Sequence, residues 1–210
     1  MNEVAIADLD ERLQKQVDSA RQALEKGGVD FVVQVCGEIL KHHPGAFEVR
    51  SLLCQALLSG NGEASGVPWF KNKSSGLQFK LSTRSLLKKD PVALMLRCDE
   101  QLRQKQVFSE LFRSSDQAAE ALGWSESRVV ACRALSELEP DNVSPRLALA
   151  QVLMEVKRPQ QSIEHLEWVL AKDPSNADAQ LLLKNASVAE TLQRGNWEDT
   201  DTSFHTKKQS

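Results

Sequence analysis

Four cysteines and four histidines are the side chains in this sequence best suited to chemistry. They are Cys36, Cys54, Cys98, Cys132, His42, His43, His165 and His205. Thiolates and imidazoles hold metals when they come as CxxC pairs or as histidines at i, i+4 on one helix. Here the cysteines are far apart, and no two histidines stand four apart. The adjacent His42 and His43 suit a helix C-terminus, where an imidazolium meets the negative end of the dipole. No GxSxG, P-loop or GxGxxG stretch occurs, so acyl transfer, phosphate cradling and dinucleotide binding have no visible seat. The expectation is a chain with no catalytic residue, no metal, no cofactor and no small-molecule substrate.

The elements that position these residues are helical. Leu149, Val152, Leu153 and Val156 recur at helical spacing, and so do Ile163, Leu166, Val169 and Leu170, each set marking one apolar face. Ser144-Pro145 and Pro159 read as helix starts, and Asp173-Pro174 as a stop. Hydrophobic residues make up 41% of the 210 residues and charged residues 26%, the balance of a globular chain. The net charge of −3 does not suit nucleic acid, whose binders carry basic domains. No apolar run of about 18 residues is present to span a bilayer. The acidic start lacks a secretion signal, so a cytoplasmic location is expected.

The hairpin from Val143 to Asn176 resembles a tetratricopeptide repeat (TPR) of the bacterial type. Leu149, Ala150, Leu153, Ser162 in place of the usual Ala, Leu166, Val169 and Pro174 fall at its packing positions. Steps of 34 residues bring 109–142 into the same frame and 75–108 into a degenerate one, with Ser75 and Gln78 as a capping box. The resemblance implies an all-α fold, a right-handed superhelix of TPR-like antiparallel helix hairpins (an α-solenoid). It gives an N-terminal hairpin over 1–46 and a partial repeat with a Gly/Ser-rich insertion over 47–74. Three consecutive repeats over 75–176, a capping helix over 177–194 and a disordered tail over 195–210 follow.

In such an array the first helices line a concave groove. By this resemblance two columns face it. One is polar and mostly amide: Arg21, Gln55, Thr83, Gln117, Gln151 and Asn185. The other is mostly apolar and includes Val17, Phe79, Arg113, Leu147 and Leu181. Amides beside an apolar stripe suit a peptide or partner segment, so the expected function is a non-catalytic protein–protein interaction scaffold. Trp69 and Phe70, in the insertion next to Lys71 and Lys73, form a possible secondary contact. The alternative reading uses them to hold an accessory subunit at a membrane surface, the lesser expectation. Further expectations are that the four cysteines are buried packing residues and that Asp116 and Arg128 form an ion pair within one hairpin.

Overall fold

The computed structural model describes residues 2–59 and 73–205. Among these, ten α-helices account for the architecture, and the sole extended pairing is a bridge between Val4 and Ala46. The helices are α1 (Glu11–Glu25), α2 (Val29–His42), α3 (Phe47–Ser59), α4 (Lys73–Lys89), α5 (Pro91–Arg103), α6 (Ser109–Leu122), α7 (Ser125–Leu138), α8 (Val143–Glu155), α9 (Pro159–Lys172) and α10 (Ala177–His205). They fall into two compact units, Met1–Asp141 and Asn142–Ser210.

Local chemistry explains most of the helix ends. Gly27 and Gly123 sit at φ +77° and +70°, a left-handed conformation in which only glycine is free of strain, and each closes a hairpin turn. Asp90 accepts from the Ala93 amide, and Pro91, whose missing N–H costs nothing at the first helical position, opens α5. Two predicted caps differ. Asn142, not Ser144, caps α8, accepting from the Ser144 amide. Ser75 falls within the span of α4, whose N-terminal side chains lie outside the described residues.

The first unit is organised around α3. Val49, Leu52, Leu53, Cys54, Ala56 and Leu57 are all buried, so α3 is apolar on nearly every side and needs cover from several helices. It packs on α2 and α7, with smaller contacts to α5 and α1, and α2 also packs on α5. These pairings skip hairpins, whereas each unit of a linear array touches only its neighbours. The first unit therefore departs from a nearest-neighbour solenoid. The N-terminal segment reinforces the closure: the Val4 amide donates to the Gly45 carbonyl at 2.9 Å, and the Ile6 amide to Glu48 at 2.6 Å.

In the second unit α9 packs on both α8 and α10, around Ala150, Leu166, Val169, Ala179 and Ala186. Ser162 is buried, and its hydroxyl donates to the Ala150 carbonyl at 2.8 Å, tying α9 to α8. Helix α10 runs to His205, where a capping helix ending at 194 and a tail from 195 were expected. No proline interrupts it, and extending a formed helix is far cheaper than starting one.

Candidate functional site

In the first unit the predicted groove residues do not form one column. Arg21 is exposed on α1 and lies 3.5 Å from Asp18. Val17 is fully buried. Gln55 is exposed on α3 at a cleft of about 390 Å³ whose far wall is α7, through Val130, Arg133 and Glu137. Gln117 is exposed on α6 at a different cleft of about 410 Å³, opposite Lys80, Leu81 and Arg84 of α4. The two amides thus face different neighbours, because α3 turns to α7 and not to α4.

Phe79 and Thr83 are not presented to solvent. The Phe79 ring meets Phe108 edge-on, with centroids 5.4 Å apart, and the Thr83 hydroxyl donates to the Phe79 carbonyl at 2.8 Å. Arg113 is held by Glu139 at 2.5 Å. The remaining residues lie in the second unit. Leu147 is half-buried, Gln151 and Asn185 are exposed, and Leu181 is 62% exposed. Val188 and Leu192 extend the same face of α10 at 61% and 65% exposure. Trp69 and Phe70 lie outside the described residues.

The four thiols are buried, as expected, and unbridged. Burial pushes Cys36 and Cys54 up to about 12 and raises Cys98 too, so these sulfurs stay protonated and poorly nucleophilic. Among the described residues no three His, Cys, Asp or Glu side chains are grouped to hold a metal ion, and no helix is long and apolar enough to cross a membrane. Asp116 and Arg128 do pair, at 3.1 Å and partly buried. Burial raises the Asp116 carboxyl above its ordinary value although Arg128 pulls the other way.

Two polar features were missed from the sequence. Arg50 is 1% exposed and donates through Nε and Nη2 to both oxygens of Asp99, at 2.7 and 2.8 Å. It also donates to the Pro44 carbonyl and the Ser127 hydroxyl. Burial alone would lower its pKa, but the Asp99 charge and hydrogen bonds hold it above the ordinary value. The second is Glu3, whose carboxylate accepts from the Glu126 and Ser127 amides at 3.1 and 2.5 Å. It caps α7 from more than a hundred residues away, where the N-cap residue Trp124 makes no side-chain capping bond to the helix. The signal for Arg50 was a lone cation inside FEVRSLLCQALL, and Glu3 left none.

No family model matches the chain, and neither a curated protein nor a solved structure matches it.

Proposed function

We propose that the chain is a non-catalytic partner-binding scaffold acting in the cytoplasm, built from TPR-like hairpins, and that its second unit receives a helical segment of another protein along α8 and α10. One observation carries this reading: Leu181, Val188 and Leu192 are each more than 60% exposed on one face of a helix whose opposite face is in the core. An aligned apolar row left open on a helix is a feature of binding surfaces, unlike single scattered leucines. With Asn185 the row reads Leu181, Asn185, Val188, Leu192. Its 4-3-4 spacing is that of a helix receiving knobs from a partner helix, and one amide within the seam fixes register. The exposed Gln151 on α8 supplies a second amide. The right-handed TPR-like stacking of hairpins is proposed for the second unit alone, where α9 packs on both α8 and α10.

Leu181→Glu with Val188→Glu tests the reading. Both positions are exposed, so the melting temperature should move little, within about 0.5 kcal/mol per site. Affinity capture from the native cell should then lose the proteins that the wild-type chain retains. Identical captured proteins for both chains would remove α10 as the binding surface.

A further inference from the structure

The outer face of α4 is charged unlike the rest of the chain. The helix carries Lys73, Lys80, Arg84, Lys88 and Lys89 and no acidic residue, in a protein of net charge −3. Its inner face is used: Phe79 and Thr83 are buried, and Leu86 and Leu87 pack against the first unit's core. Its outer face shows two parallel rows at i, i+4 spacing, the arrangement that brings side chains together on a helix. One row is Lys80, Arg84 and Lys88, all exposed; the other is Leu77 and Leu81, at 63% and 67% exposure.

Like charges at i, i+4 repel, and little here relieves them. Lys80 reaches Glu110 at 3.3 Å, while Arg84, Lys88 and Lys89 have no ion pair among the described residues. Beside the rows opens the cleft between α4 and α6, with Leu81 at its rim, Leu94 among its apolar lining, and Ser114 and Gln117 on the α6 side.

We propose that this face docks an acidic, leucine-bearing helix of another protein. Its carboxylates would meet Arg84 and Lys88, and one apolar side chain would enter the cleft against Leu81 and Leu94. The site is separate from the α10 surface and stands or falls without it. A bilayer is a poorer match. The cleft is concave and of side-chain size, and its wall offers the Gln117 amide and the Ser114 hydroxyl, which suit a peptide side chain better than a flat headgroup layer. Salt screening should show in the affinity, because the contact is largely electrostatic and exposed.

The test titrates the full-length chain with a fluorescein-labelled helical peptide bearing a Glu row at i, i+4 beside a Leu row. A twin with Gln for every Glu and phosphatidylserine/phosphatidylcholine vesicles are the two comparison probes. The acidic peptide should bind more weakly at high salt, and neither the Gln twin nor the vesicles should bind. Arg84→Glu with Lys88→Glu should weaken binding about tenfold or more, and Leu81→Ser should weaken it without any charge change. Arg12→Glu with Lys15→Glu, on exposed α1, should leave it unaltered. Circular dichroism melts confirm that each variant folds. Binding of vesicles but not peptide, binding insensitive to the α4 substitutions, or no peptide binding at all would each overturn the proposal.

Discussion

At the residue scale, the Arg50–Asp99 pair carries the largest penalty if broken. Both side chains are almost fully buried, so losing one partner leaves the other charge without water or counter-charge. Arg50→Met should destabilise the chain by about 3–5 kcal/mol in urea unfolding, and Arg50→Met with Asp99→Leu should recover most of that. A double variant as weak as the single one would show that the pair's hydrogen bonds to Pro44 and Ser127, not its charges, dominate. Asp116 gives a pH prediction. Its folded-state pKa lies above the unfolded value near 3.8, so the folded state holds the proton more tightly. Its contribution to stability is full below that value and falls as pH rises through the folded pKa. Stability curves from pH 3 upward should decline less for Asp116→Asn than for the wild type. Parallel curves would mean that Arg128 cancels the burial.

Helix ends and turns show how legible elements are. The turns at Gly27 and Gly123 and the starts at Pro91 and Pro159 were readable because a backbone constraint acts within a few residues. The start of α7 was not. Ser125 is a good capping type by sequence, yet the α7 amides are capped by Glu3, a contact no local pattern encodes. Glu3→Gln weakens and Glu3→Ala removes that acceptor, and the alanine should cost about 0.5–2 kcal/mol. Amides of Glu126 and Ser127 should then exchange faster with solvent. An unaltered exchange rate there would mean that water replaces the carboxylate at no cost. The α10 end was misread for a related reason: polar, unpatterned residues signal disorder only when no helix precedes them to be extended.

On the scale of the molecule, the sequence conveyed the helical class and the hairpin rhythm, since both follow from apolar periodicity. Only part of the candidate site was legible. Leu181 and Asn185 emerge exposed as a repeat frame implies, but Thr83 and Phe79 are buried, since the frame assumes that α3 stacks on α4. Periodicity tells which face of a helix is apolar, not which helix will cover it. Hydrogen exchange separates the two arrangements. If α3 and α7 share one core, their amides should open together, in one cooperative step. In a nearest-neighbour array α7 would open without α3, and that result would dismiss the closed first unit.

The α3–α7 contact also has a meaning in time. A ribosome finishes α3 about 80 residues before it finishes α7, which at about 5–20 residues per second is a delay of roughly 4–16 s. For most of that interval Arg50 lacks its Ser127 partner, and until α7 is complete the α7-facing leucines of α3 lack their full cover. The nascent chain is thus exposed to holdase capture in this window, and synonymous codons that slow translation between residues 60 and 125 would lengthen it.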